Sequence, residues 1–245
     1  MSKLDHLRQR VRPLLDLSSP AEAAFAYYAL YHDPRRTQLY AHPEGAHVEG
    51  FVAICQTGRD LFRSVVALYA PTPTTARELL RALALGRPYT VVAPPYLGAA
   101  IDSGMDLNER VATPHVYELD PRRFEPLINV LVVTERGPGG LPRFLIRSGG
   151  ETVAQAGVNW ASPHFAELAV QTAPAARRRG WGRAVLAACS NWAVQSSRRA
   201  LYVVEPQNAP SIALAESVGY VRTGARLSIA AGTVKQITEK GERDT

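Results

Sequence analysis

The run TAPAARRRGWGRAVL, Thr172 to Leu186, has residue types and spacing suited to chemistry. Arginines at 177, 178 and 179 lead straight into Gly180-Trp181-Gly182, Arg183 follows, and a helical pattern starts at once. The first turn of a helix leaves backbone N–H groups unpaired, and the peptide dipoles make that end positive. Glycine lets a ligand come close to the backbone, and flanking arginines add charge. Together these features make an anion seat, with a pyrophosphate as its natural occupant. Taken alone, the same run is equally a helix start decorated with surface arginines.

The elements around the run decide between these readings. RFLIRSGGETVAQAGVNW reads as a hairpin around Ser148-Gly149-Gly150. FAELAVQTAP is a strand stopped by Pro174. From Gly180, Ala184, Val185, Ala188, Cys189, Trp192 and Ala193 recur at helical spacing. ALYVVEP is a short apolar strand, SIALAESVGY a short helix closed by Gly219, and GARLSIA and GTVKQITEK are two final strands. The order β-β-β-α-β-α-β-β makes a mixed α/β unit.

The first half can be laid beside the second. TQLYAHPEGAHVEGFVAICQTG reads as a hairpin around Pro43-Glu44-Gly45, and RSVVALYAP as a strand. TTARELLRALAL is a helix capped by Thr74 or Thr75, with Leu79, Leu80 and Leu83 on one face. PYTVVAPP, YLGAAIDSGM and VATPHVYEL follow as strand, helix and strand. The repeated order predicts a tandem pseudo-repeat, divided as 1–120 and 121–245. INVLVVTE before the boundary turn Gly137 to Pro142 is one more expected strand.

Composition narrows the classes. Apolar residues make up 46% of the chain, as a full core requires. There is no long uncharged apolar run, and the N-terminal segment lacks a signal-peptide core, so a cytoplasmic protein without membrane contact is expected. Cys55, Cys189 and six scattered histidines form no ligand pattern, so no metal is expected. A net charge of +6 admits nucleic acid as a partner. However, the arginines gather at one helix end instead of interleaving with aromatics over a face. GxGxxG after a strand and GKS or GKT are both missing, which excludes the usual dinucleotide and nucleotide loops.

The ordered set of strand, Pro174, Arg177-x-x-Gly180-x-Gly182, strand and the helix of QNAPSIALAESVGY resembles the GNAT superfamily of acyl-CoA-dependent N-acetyltransferases. The resemblance runs from about Phe144 to the end of the chain. It implies a mixed, mostly antiparallel sheet flanked by helices, with acetyl-CoA as cosubstrate. The strand Leu168 to Thr172 would face the pantetheine arm, through Val170, Gln171 and Thr172. Arg177 and the amides from Arg178 to Arg183 would hold the pyrophosphate. Trp181 would either pack or touch ligand. Asn208 and Ser211 match the second helix of the family, where Asn208 either contacts the coenzyme or caps the helix.

The implied chemistry is direct attack of an amine on the thioester, which needs alignment, a base and oxyanion stabilisation. An N–H near Val170 would serve the oxyanion. Glu167 is the first candidate base, working through water, and Glu205 the second; each is otherwise a strand-end glutamate. Two departures stand out. Ala215 occupies the position where many members carry a tyrosine acid, while Tyr220 is expected in the core. The segment 121–142 also has no equivalent of the two helices that shape the acceptor side, so the first half is expected to cover that side. TPTTAREL lacks both glycines and the arginine cluster, so no coenzyme is expected there. The partner would be a small-molecule or peptide amine, on a monomer with an internal pseudo-dimer or on a homodimer. A non-catalytic acyl-CoA-binding module and, more weakly, a nucleic-acid-binding protein are the alternatives.

Overall fold

The computed structural model describes residues 2–43, 47–126 and 130–235. Glu44 and Gly45 of the first expected hairpin, the start of INVLVVTE and residues 236–240 of GTVKQITEK lie outside them. A capping box between Ser2 and Asp5 opens helix α1, Lys3–Val11. Helix α2, Ala23–Ala26, continues into a wider turn, Tyr27–Tyr31. Then come β1 (Thr37–His42), β2 (Gly50–Cys55) and β3 (Ser64–Tyr69), followed by α3 (Pro73–Leu80) and β4 (Pro88–Ala93). Helix α4 (Gly98–Gly104) and strands β5 (Met105–Leu107) and β6 (His115–Leu119) finish this half.

The second half repeats the order. An additional edge strand, β7 (Val133–Arg136), precedes β8 (Pro142–Ser148) and β9 (Glu151–Ala161). These two close on Gly149-Gly150, both at positive φ, the two-residue turn that suits strand twist. There follow β10 (Phe165–Thr172), α5 (Trp181–Gln195), β11 (Arg199–Val204), α6 (Ala209–Val218), β12 (Tyr220–Arg226) and β13 (Ser228–Val234). Gly219 closes α6 in the left-handed conformation at φ 109°, as expected. The cap of α3 is Thr72, one turn earlier than expected. Pro73 fits the first helical position, where no N–H is needed, and the Thr72 hydroxyl accepts from the Thr75 amide.

The strands form two mostly antiparallel sheets. The first has the order β1-β2-β3-β4-β13-β5 and the second β12-β6-β11-β10-β9-β8-β7. Among the described strands, the parallel pairs are β3 with β4 and β10 with β11, at matching places in the two halves. The last strand of each half has crossed over. β6 lies between β11 and β12, with Tyr202 opposite Tyr117 and Val221 opposite Glu118. β13 lies between β4 and β5, with Ala230 opposite Val91 and Thr233 opposite Asp106. A cut at 120/121 therefore divides the sequence but not the sheets. Each half completes its ladder with a strand from the other.

Three cores follow. Helices α3 and α4 pack on the outer face of the first sheet, through Leu79, Leu80 and Ile101. Helices α5 and α6 pack on the outer face of the second, through Val185, Leu186 and Val218. The third core lies between the halves. Phe25 of α2 and Phe51 of β2 join Trp160, Phe165 and Leu201 of the second sheet. Tyr27 stacks on Trp160 at 5.1 Å and 16°. The N-terminal helices thus lie over the inner face of the second sheet, the side that the short 121–142 segment leaves uncovered.

Gly232 tests the exchange. A Cβ there would strike the Asp106 carbonyl and come within 2.9 Å of Leu107 Cα, backbone atoms that cannot turn aside. Gly232→Val should destabilise the chain by about 2–3 kcal/mol. Denaturant unfolding followed by circular dichroism and by Trp160 fluorescence should show one coincident, shifted transition, because the sheets share strands.

Candidate active site

The anion seat is built where β10 ends. Pro174–Ala176 forms a single tight turn, Arg178 takes φ 61° and Gly180 takes φ 75° directly before α5. Left-handed Gly180 leads directly into right-handed α5, whose first N–H groups have no partner within the helix, an arrangement that can accept an anion. No side chain caps α5, and a Cβ on Gly180 would meet nothing within 4 Å. At Gly182 a Cβ would lie 2.9 Å from Thr172 Oγ1, so this glycine lets α5 start against β10. The N-terminal end of α5 is therefore uncapped, with open space beside Gly180. The matching helix start at α3 is closed by Thr72 and lacks the N–H of Pro73.

The flanking residues take different parts. Arg177, Arg178 and Arg179 are exposed, and Arg179 lies over the Trp181 ring at 5.1 Å. Trp181 itself is half-buried against the α5–α6 core, so its packing role is realised. Arg183 turns away and donates from Nε to the Ser217 carbonyl at 3.2 Å, tying α5 to the end of α6.

Beside the seat the second sheet opens. The parallel pairing of β10 with β11 runs from Phe165 opposite Arg199 to Leu168 opposite Tyr202. Strand β10 continues to Thr172, so Ala169, Val170, Gln171 and Thr172 extend beyond that pairing. Its register against β9 also slips between Glu167 and Leu168. Such a bulge re-aims backbone groups and often lies next to active sites. The extended edge can pair with an amide-bearing arm as another strand would.

Glu167 sits at the bulge and is half-buried. Asn159 Nδ2 donates to one carboxylate oxygen at 2.6 Å and Trp160 Nε1 to the other at 2.8 Å. Burial raises the pKa of Glu167, and these two hydrogen bonds and the charge of Arg59 offset part of the rise. Glu205 stands at the end of β11, where its carbonyl accepts from the Asn208 amide at 3.0 Å. Asn208 caps α6, with Oδ1 accepting from the Ser211 amide at 3.2 Å. The Ser211 hydroxyl lies 2.7 Å from the Tyr202 hydroxyl. Ala215 is fully buried and offers no proton, and Tyr220 is in the core, 2.8 Å from the Ser190 hydroxyl.

A cleft of about 800 Å³ lies between the halves. The first half lines it with Tyr27, Asp33, Arg36 and the loop from Gln56 to Arg59, and the second with parts of β8, β9 and β10, including Asn159, Val170 and Gln171. Asn159 thus joins the cleft to Glu167. The N-terminal contributors and the Asn159–Trp160 clamp were not singled out in the sequence. No local pattern marks them, because the first half meets the site only through folding.

Residues 107–220 match the profile of the acetyltransferase (GNAT) family. No curated protein matches the chain. Among solved structures, the chain is similar to a GCN5-related N-acetyltransferase-like protein from Streptococcus suis, at TM-score 0.66 and 16% identity, covering 94% of this chain and 99% of that one. It is also similar to a GCN5-related N-acetyltransferase from Kribbella flavida, at TM-score 0.61 and 18% identity, covering 86% and 95%. A tandem GNAT protein from the clavulanic acid biosynthesis pathway aligns at TM-score 0.56 and 15% identity over 94% of this chain and 96% of that one. The seat has a direct test: Gly182→Val should weaken acetyl-CoA binding by about tenfold or more in calorimetry, and it should also lower the melting temperature because the new side chain presses on Thr172 and Leu214. The uncapped start of α5, the opened sheet and the family profile all fall on one segment, and residues 107–220 form a GNAT-family domain that shares its strand order with the first sheet.

Proposed function

We propose that the chain moves an acetyl group from acetyl-CoA to a primary amine by direct attack in a ternary complex. The observation that carries this reading is the buried Glu167 carboxylate, clamped by Asn159 and Trp160 at the bulge between cleft and opened sheet. Bound acetyl-CoA supplies the activated acyl carbon. The amides from Arg178 to Arg183 hold its pyrophosphate, while Val170, Gln171 and Thr172 align its arm along β10. Asn208 and Ser211 order the start of α6 beside it.

The cleft between the halves admits the amine. Glu167 takes a proton from the amine nitrogen through water held at Asn159, so that the nitrogen lone pair can form the new C–N bond. A β10 amide near Val170 stabilises the negative charge on the carbonyl oxygen, and the C–S bond then breaks. Water protonates the leaving thiolate, since Ala215 has no hydroxyl. Glu205 is the second base candidate, but it lacks the link to the cleft that Asn159 gives Glu167. The acceptor is a small-molecule or peptide amine, and the chain acts as a monomer whose two halves stand in for a dimer. The buried Ala215 favours one other reading, a module that binds acyl-CoA without turnover.

Release of free thiol over an amine panel separates the two readings. Glu167→Gln should lower kcat by about 10²–10⁴ with acetyl-CoA affinity unchanged, and Glu205→Gln should cost far less. Turnover requires ionised Glu167. Because burial raises its pKa, kcat/KM should fall on acidification from a pH above the usual carboxylate range. Asn159→Ala removes a bond that lowers this pKa, so the acid limb should move to still higher pH.

A further inference from the structure

The cleft carries more positive charge than the chemistry above uses. Arg36 follows the wide turn after α2, Arg59 stands on the β2–β3 loop and Arg143 is on β8, yet all three line the same cleft. Among the described residues none of them forms an ion pair. Asp33 is the carboxylate on this wall, and its Oδ1 already accepts from the Arg35 amide at 2.9 Å. Glu167 lies behind Asn159 with both oxygens engaged.

Arg143 is held in place rather than free on the surface. Its side chain runs between two glycines: a Cβ on Gly137 would lie 2.6 Å from Arg143 Cγ, and one on Gly157 would lie 3.6 Å from the same atom. One guanidinium nitrogen donates to Gln155 Oε1, and Gln155 Nε2 donates to Gln171 Oε1 at 2.8 Å. This relay fixes the fork from β10 and leaves its other donors for a ligand. A planar guanidinium with spare donors suits a carboxylate or phosphate, which it can bind through two parallel hydrogen bonds.

We propose that the acceptor is a compact amine bearing an oxyanion, carboxylate or phosphate, with that group held by Arg143 and Arg59 and supported by Arg36. This rests on the acetyltransferase reading for the amine but not for the anion subsite. Among the described residues, three arginines face the single carboxylate of Asp33 on the cleft lining, so the surplus charge there is positive and suits an oxyanion. Arg59 and Arg143 line the same cleft as Asn159, which holds the Glu167 carboxylate, so amine and anion ends share one cavity.

The test is calorimetry on the full chain saturated with coenzyme A, so that the pyrophosphate seat is already filled. N-acetylglycine and N-acetyl-O-phosphoethanolamine are compared with the neutral N-acetylglycinamide and N-acetylethanolamine. Each anion should bind about tenfold or more tightly than its neutral partner. Arg143→Gln and Arg59→Gln should each remove most of that difference while leaving the neutral ligands unchanged. The tighter of the two anions identifies carboxylate or phosphate as the group recognised. Equal affinity within both pairs, no binding by any of the four, or full anion affinity in both variants would overturn the proposal. Arg59 lies on an exposed loop, so its variant stays informative if Arg143→Gln fails to fold. Anion binding without thiol release on any amine would sink the acetyltransferase reading and leave the subsite standing. Thiol release from neutral amines as fast as from their anionic partners would do the reverse.

Discussion

Each sheet has a slot just inside one edge strand, and in both sheets the slot is filled from the other half. β13 enters between β4 and β5, and β6 enters between β11 and β12. An empty slot would leave rows of backbone N–H and C=O groups without partners inside a packed layer, which folded chains do not tolerate. The exchange therefore locks the halves into one body. It also sets where the inner faces meet, and so where Phe25, Phe51, Trp160 and Leu201 close into a common core.

The cleft follows from that lock. Because the N-terminal helices lie over the inner face of the second sheet, Tyr27 stacks on Trp160, and Trp160 in turn donates to Glu167. The aromatic stack contributes about 1 kcal/mol beyond its burial, and its greater effect is to fix a donor. A single indole thus serves the core on its face and the carboxylate at its edge. At the matching place the first half has Thr72 and Pro73, which close the start of α3. Its contribution is a wall.

Much of the strand–turn–helix around Gly180 was legible in the sequence because it is local. Strand, Pro174, Gly180, Gly182 and a helix sit within twenty residues, and each acts through its own backbone. Glu167 was also reachable, from its place in FAELAVQTA. The repeat could be read from order alone. What could not be read was partnership. Nothing in VATPHVYEL says that β6 belongs to the later sheet, since alternation marks a strand but not its neighbour. The Thr74 or Thr75 cap failed for a smaller reason, as Pro73 at the first helical position moved the cap to Thr72. Arg59 and Tyr27 carry no local mark, because the strands they face across the cleft lie eighty or more residues further along the chain.

The exchanged strands also fix a timetable. During synthesis, residues 37 to 107 emerge well before residues 228 to 234, yet the first sheet cannot close its slot without them. The second sheet meets the opposite situation, since its missing strand, β6, is made before any other part of it. The first-born half must therefore wait, with two open edges, for the last-born strand. Translation would leave it exposed longest to self-association and to chaperones, so the final strand acts as the keystone of the half made first.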